Sequence, residues 1–367
     1  MIKTSESVLK GHPDKICDGI SDYILTKLLK EDENTRAGIE CLIKDELIVV
    51  VGEITTKANI DYVKTTKEYL DLIGLESNEF NVLEKISIQS SDIALGVDKG
   101  GAGDQGIMYG YAEIGTEELM PLSLVLSRRL ARKLDELNRE YEDIFGIDGK
   151  CQVSIEYEKD TPKEIKTIVV SVQTKEGISR EQYEPLVFLR IHRTMPKDLL
   201  TKDTVILINP TGEFVKGGSY ADSGLTGRKL QCDAYGGLAL HGGGAWSGKD
   251  LTKVDRSASY YARYIAKNVV ASKLALKCEI GIAYAIGIDE PVSISVNTFG
   301  TSTLEESRLL EIIKKVFNFK PQSITKEIGV TDFNNVSAYG QVGVLVDELP
   351  WERLDKVDEL LDNLYNE

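Results

Sequence analysis

The chain has 367 residues, more than one ordinary core and enough for two or three domains. With 42% hydrophobic and 28% charged residues it has the composition of a soluble globular protein, and a net charge of −15 argues against nucleic acid or an anionic membrane as partner, because either would be repelled at long range. No apolar run approaches the roughly 18 residues that span a bilayer, the N-terminus lacks a signal pattern, and five scattered cysteines resemble neither a disulfide framework nor a zinc site, so a reducing, cytoplasmic location is expected.

In chain order, Ile16, Ile20, Tyr23, Ile24, Leu28 and Leu29 recur at helical spacing. Strands are predicted over 39–43 and 47–54, turning at Asp45 and Glu46, and 62–73 is again helical. A second run follows, with a long helix over 119–141, strands over 152–157 and 167–172, and a helix over 180–193. The third run predicts a helix over 257–276, strands over 279–286 and 292–296, and a helix over 304–317. This recurrence of helix, hairpin and helix predicts an α+β protein of three structurally similar domains, each a mainly antiparallel sheet with helices on one face. The divisions fall at about 1–97, 98–211 and 212–367. The tail over 350–364 predicts a surface helix packed on the body, without chemistry.

Between the runs lie two glycine-dense stretches read as loops, Gly96 to Gly110 and Asn209 to Lys253. Glycine at this density lets backbone approach a ligand closely, and loops beyond about 12–15 residues are usually functional or disordered. Tyr235, Leu238, Leu240 and Trp246 within the second argue against disorder.

Three constellations carry candidate chemistry. In Gly11-His12-Pro13-Asp14-Lys15 the proline fits the first helical position, and a helix start offers N–H groups to an anion. His12 then either donates to a phosphate or caps the helix, and Asp14 either holds a metal or complements the helix dipole. The second constellation is the cations Arg228, Lys229, Lys249 and Lys253, with Arg256 just beyond. Gly227 and Gly248 each precede one of them, and such a cluster in an acidic chain points to a polyanionic ligand. A P-loop is rejected, because Asp250 stands where Ser or Thr is needed and the flanking strand and helix are missing. Gly101 to Gly106 resembles a dinucleotide fingerprint only superficially. The third is a set of carboxylates, Glu40, Glu53, Asp104, Asp222 and Asp255, suited to an ammonium group or to phosphate-bound magnesium. Asp255 lies just before a predicted helix, where capping is an equal reading.

These residues, with Gly224-Leu225-Thr226-Gly227-Arg228-Lys229 and the run His241 to Ser257, resemble methionine adenosyltransferase signatures. Weaker matches at Gly52 to Thr56, Asn209 to Gly212 and Ala338 to Gly340 keep the family order over nearly the whole chain. The resemblance implies three similar α+β domains, pairing into a homodimer or homotetramer with active sites between subunits, and ATP and L-methionine as substrates. It implies His12 near the breaking C5′–O bond, Arg228, Lys229, Lys249 and Lys253 around phosphates and methionine, and Phe214 stacked on adenine. Glu53, Gln89 and Asp222 would orient methionine, and Asp104 lies in an active-site motif. Asp14 and Asp255 would bind Mg2+, about two ions per site, and Glu40 would lie at a K+ site. The chemistry agrees: methionine sulfur displaces triphosphate from C5′, so the demand is for cations that stabilise the leaving charge and for orientation, not for a protein nucleophile.

Two departures stand out. Family members place a catalytic lysine after a glycine and directly before a proline in the middle domain, and here, aligned without a gap, Thr161 holds that place, flanked by Lys159 and Lys163. The stretch from Gln89 to Asp104 is shorter than in bacterial enzymes, and Val172-Gln173-Thr174 stands where Thr-Gln-His is common. A weakened family member serving as a ligand-binding or regulatory subunit is therefore the second reading. An unrelated ATP-dependent ligase or kinase is the third, and leaves the motif order unexplained.

Overall fold

The computed structural model describes residues 1–88, 100–334, 336–345 and 349–365. Strand β1 (Ile2–Val8) leads into helix α1 (Pro13–Glu31), the hairpin β2 (Arg36–Lys44) and β3 (Leu47–Thr55), helix α2 (Tyr62–Leu72) and strand β4 (Asn81–Ser87). The same order returns in β5 (Gly106–Glu113), α3 (Leu122–Glu140), the hairpin β6 (Phe145–Glu158) and β7 (Thr161–Thr174), α4 (Arg180–Thr194) and β8 (Val205–Ile208). A third run comprises β9 (Gly224–Leu225), the short α5 (Leu230–Asp233), α6 (Val254–Ala271), the hairpin β10 (Lys277–Tyr284) and β11 (Ser293–Asn297), and α7 (Glu306–Val316). Helices α8 (Pro321–Ile328) and α9 (Val357–Tyr365) complete the chain. The α+β class and its threefold pattern are as the sequence predicts.

The sheets run β4-β3-β2-β9, β1-β6-β7-β8 and β11-β10-β5. Pairing is antiparallel except where β4 and β8 join the hairpin edges in parallel. The strand that leads each run does not join its own hairpin. β1 pairs with β6, β5 with β10, and β9 with β2. This exchange ties each glycine-rich segment to a sheet formed by a different stretch of chain.

Alternation in β2 buries Ala37, Ile39, Cys41 and Ile43 against α1, and leaves Gly38, Glu40 and Leu42 on the opposite face. Ile16, Ile20, Ile24 and Leu28 of α1 meet them at helical spacing. Leu126, Leu130, Leu134 and Leu137 of α3 cover Val153, Ile155, Ile168 and Val170 in a second core. Removing one such side chain to Ala would cost about 2–5 kcal/mol.

Three expectations are corrected. The stretch Gly96 to Gly110 is not loop throughout, because Gly106–Glu113 is β5, with Met108, Gly110 and Ala112 facing inward. Helix α6 begins at Val254, not Ser257, and ends at Ala271, where Lys273 takes φ +62. The middle hairpin strands have 14 residues each, extending well beyond their apolar centres. Gln89 lies outside the described residues. The tail packs Leu360 into the core as predicted, but its helix α9 begins only at Val357, after a single 3-10 turn at Pro350–Glu352. All five cysteines are buried free thiols. Among the described residues, no helix is long and apolar enough to cross a membrane.

Candidate active site

Proline at the first turn starts α1, with His12 as its cap in extended conformation. His12 Nδ1 accepts the Asp14 N–H at 3.2 Å, so the imidazole proton sits on Nε2, free to donate. Burial, then the nearby Lys229 ammonium, lowers its pKa to about 4, against the opposing pull of Asp14 and Asp222. A neutral imidazole therefore caps the helix start through its acceptor nitrogen, leaving the Nε2–H donor on the other side of the ring.

Asp14 is nearly buried, its side chain 1% exposed. Its Oδ1 accepts the Leu225 N–H at 2.9 Å and lies 3.5 Å from Arg228 Nε, while Oδ2 receives Lys229 Nζ at 2.5 Å. Two further carboxylates continue this stripe at four-residue intervals along α1. Asp18 accepts the Gly227 N–H at 2.8 Å, and Asp22 accepts the Gly248 N–H at 2.8 Å. Burial and Asp233 push Asp18 up to about 6 against the pull of Lys15. Lys15 is buried against Asp18 and Asp233; burial depresses its pKa, but these carboxylates raise it above the usual lysine range. One helix face thus pins two parts of the glycine-rich stretch 209–253, around Gly227 and around Gly248, by their backbones. Asp18 and Asp22 were not singled out from sequence, although i, i+4, i+8 spacing beside an apolar stripe is their signal.

The second segment docks where Lys249 bridges Gly38 of β2 and Gly248 C=O receives the Ile39 N–H at 3.0 Å. Glu40, Glu53, Thr226, Ser247 and Lys249 line a cavity of about 320 Å³. Lys249 Nζ lies 2.7 Å from Asp255, and Lys253 Nζ lies 2.8 Å from Asp250. Asp255 does not cap α6: Lys253 holds that place and Asp255 lies within the first turn. Arg256 leaves the cationic cluster altogether. It is fully buried and grips Asp22 through two bonds of 2.7 and 3.0 Å, with Tyr260 on its Nε.

Of the remaining predicted residues, Asp222 is exposed beside this region, its Oδ1 on the Ser223 N–H at 2.8 Å. Half-buried Phe214 is fixed through its carbonyl, which receives the Thr174 N–H at 2.9 Å. Asp104 is exposed just before β5, its carboxylate on the Gln105 N–H at 2.7 Å, and among the described residues it has no hydrogen bond or ion pair with the other candidates. Among the described residues, no set of three or more His, Cys, Asp or Glu side chains is grouped to hold a metal alone.

The middle run contributes at the start of β6. A Cβ on Gly11 would lie 2.3 Å from the Ile147 carbonyl oxygen, so only glycine allows the two backbones to meet. The Leu9 N–H bonds Gly149 C=O at 2.9 Å, and the Gly218 N–H bonds Asp148 at 2.8 Å, drawing three segments together at His12. The next residue is Lys150, exposed and opposite Val8 in the β1–β6 ladder. Thr161 instead lies at the far tip of the hairpin, roughly 30 Å along β6 at about 3.3 Å per residue. There Lys159 takes φ +56 in the turn and Lys163 pairs with Glu158 at 2.7 Å. Lys150 is thus the cation of the middle run that stands near His12, a position the family pattern at Thr161 does not mark. Its signal was Gly149-Lys150, the same glycine-then-cation pair noted at Gly227 and Gly248.

Three family models match consecutive parts of the chain: S-adenosylmethionine synthetase N-terminal domain over residues 1–93, central domain over 99–214, and C-terminal domain over 216–353. The chain is similar to an S-adenosylmethionine synthase of Clostridium tetani (strain Massachusetts / E88), 45% identical over 382 aligned positions covering 97% of this chain and 98% of the relative. It is likewise similar to an S-adenosylmethionine synthase of Clostridium botulinum (strain Alaska E43 / Type E3), 44% identical with the same coverage.

Proposed function

The chain belongs to the S-adenosylmethionine synthetase family, and from that premise we propose that it is a methionine adenosyltransferase that forms S-adenosylmethionine from ATP and L-methionine. The sulfur lone pair forms the S–C5′ bond, the C5′–O bond breaks, and its electron pair leaves with triphosphate, giving a sulfonium. Water then cleaves triphosphate to pyrophosphate and phosphate. The observation that carries this reading is the neutral His12 at the α1 start, its Nε2–H free beside Lys229 and Arg228.

In this reading His12 donates to the leaving oxygen, while Arg228, Lys229, Lys249 and Lys253 stabilise phosphate charge as it grows. Lys150 supplies the middle-run cation. Glu53, Gln89 and Asp222 orient methionine, Asp104 belongs to a substrate-binding motif, and Phe214 stacks on adenine. Asp14 and Asp255 fit Mg2+, which takes one or two carboxylates beside phosphate oxygens and water. Gly244 leaves space there, since a Cβ would lie 2.4 Å from the Asp255 carboxyl carbon. Bound Mg2+ would supply phosphate-charge neutralisation, and K+ would sit at Glu40 on the cavity rim.

Self-association completes the proposal. The outer face of the β4-β3-β2-β9 sheet exposes Leu42, Val51 and Leu83 beside Glu40 and Glu53. A homodimer closing on that face, or a homotetramer of two such dimers, would shield apolar surface and put sites between subunits. Domains of about 1–97, 98–211 and 212–367, and a cytoplasmic location, belong to the same reading.

The test is to incubate the protein with ATP, methionine, Mg2+ and K+ and follow S-adenosylmethionine, pyrophosphate and phosphate together. Equimolar product formation is expected, and ATP hydrolysis independent of methionine would sink the assignment. Binding of both substrates without product would favour the regulatory-subunit reading, which rested on the charge missing at Thr161. Lys150 at the start of β6 weakens that ground.

A further inference from the structure

A second concentration of cations lies outside this site, in a groove of about 660 Å³ between α3 and α4. Arg129, Arg132 and Lys133 of α3 face Arg190 and Arg193 of α4 across it. In a chain carrying 59 acidic against 44 basic side chains, five cations converging on one concavity need an electrostatic reason. Internal pairing accounts for three. Arg129 meets Glu118 at 2.7 Å, Lys133 meets Glu136 at 2.7 Å, and Arg190 meets Glu140 at 2.6 Å.

Arg132 and Arg193 have no carboxylate partner among the described residues. The Arg132 guanidinium lies 5.1 Å from the Tyr339 ring centroid, a contact that holds the fork in place without occupying its donors. The nearby carboxylate of Asp135 already accepts the Tyr339 hydroxyl at 2.7 Å and the Lys10 N–H at 3.2 Å. At the floor, Arg128 donates to the carbonyls of Cys232, Asp233 and Ala234 at the end of α5. It is therefore structural, and it connects the groove to the helix that follows Lys229. Val125, Val344 and Leu345 add an apolar wall.

We propose that this groove binds a small polyphosphate anion at a site separate from the active site. Two guanidinium forks without a carboxylate partner among the described residues suit the fixed, bidentate geometry of phosphate oxygens, and the volume is that of a small-molecule site. The apolar wall would also accommodate the organic part of a nucleotide. The binding itself does not depend on the catalytic reading.

Titration calorimetry of the intact protein with inorganic triphosphate tests it. Two classes of binding site are expected. Arg132→Gln with Arg193→Gln should weaken one class at least about tenfold, and Lys229→Ala should weaken only the other. The single variant Arg193→Glu, on an exposed side chain, should reproduce part of the loss with an unchanged melting temperature. Raising salt should weaken the groove class markedly. A parallel titration with GTP separates the sources: tighter binding than triphosphate at this class assigns a nucleotide, and equal binding assigns the polyphosphate chain alone. Identical isotherms for the parent and the Arg132/Arg193 variants would overturn the proposal, whatever Lys229→Ala does to the active-site class.

Discussion

The two ends of the β6–β7 hairpin carry the same residue types to opposite effect. At its start, Ile147 abuts Gly11, Asp148 accepts the Gly218 N–H and Gly149 C=O accepts the Leu9 N–H, contacts that gather at the capped start of α1, with Lys150 next in the strand. At its tip, Lys163 pairs with Glu158 and Asp160 with Lys277, while Lys159 occupies the turn. The difference lies not in composition but in what the strands bring near. A charged residue at a strand end gains a role only where another segment crosses that end, and linear proximity to a family pattern does not reveal such crossings.

The largest effect expected from this contrast follows Lys150→Ala. If Lys150 supplies charge to the departing triphosphate, kcat should fall about 10²–10³-fold, or about 2.7–4 kcal/mol of transition-state stabilisation. KM for methionine should change far less. Adding a lysine back at the tip, in Lys150→Ala with Thr161→Lys, should restore nothing, because the tip is roughly 30 Å away along the strand. Rescue in that double variant, measured by product formation, would reverse the assignment of the two ends.

A smaller effect tests the site end by pH. The unfolded chain protonates His12 near the ordinary histidine value of about 6.5, whereas the folded chain, where burial and Lys229 lower the pKa, does so only at about 4. Between those values the unfolded state binds more protons, so stability is full above the upper value and declines as pH falls through this window. Through His12 alone the loss from about pH 7 to about pH 5 amounts to roughly 2 kcal/mol. His12→Asn keeps a capping oxygen and removes the titration. Its denaturant-derived stability should therefore vary less with pH than the parent's by that amount. Parallel pH profiles for the two proteins would mean that His12 is solvated like an ordinary histidine.

Much of this was legible in advance, for identifiable reasons. Pro13 marks the helix start because its missing N–H is harmless there, and the hydrophobic periods of α1, α3 and α6 report the three runs. Arg228, Lys229 and Lys249 stand out because each follows glycine or another such cation in an acidic chain. Arg256 misled because it shares that segment, and its claim on Asp22 spans 234 residues that no local pattern reports. The exchange of β1, β5 and β9 between sheets was hidden for the same reason, since their pairing partners are remote in sequence. Asp18 and Asp22 look in sequence like the solvated side of a helix and instead receive loop N–H groups.

The smallest effects belong to the tip. Lys159 takes φ +56, a left-handed conformation that costs most residues about 1–2 kcal/mol. Glycine relieves that cost but gains freedom in the unfolded chain, so Lys159→Gly should stabilise by a few tenths to about 1 kcal/mol in denaturant unfolding. Lys163 meets Glu158 with both side chains well exposed, and Lys163→Ala should leave the protein folded and its kcat within about twofold of the parent. Lys159→Gly should do the same. A loss of activity as large as that of Lys150→Ala in either variant, without loss of fold, would return the middle-run cation to the tip. Since each chain keeps the tip far from its own α1, that outcome would require the lysine to act in the site of a second subunit. Mixing Lys159→Gly or Lys163→Ala chains with Lys229→Ala chains would then restore activity by complementation, whereas silence of both tip variants leaves Lys150 as the cation the middle run contributes.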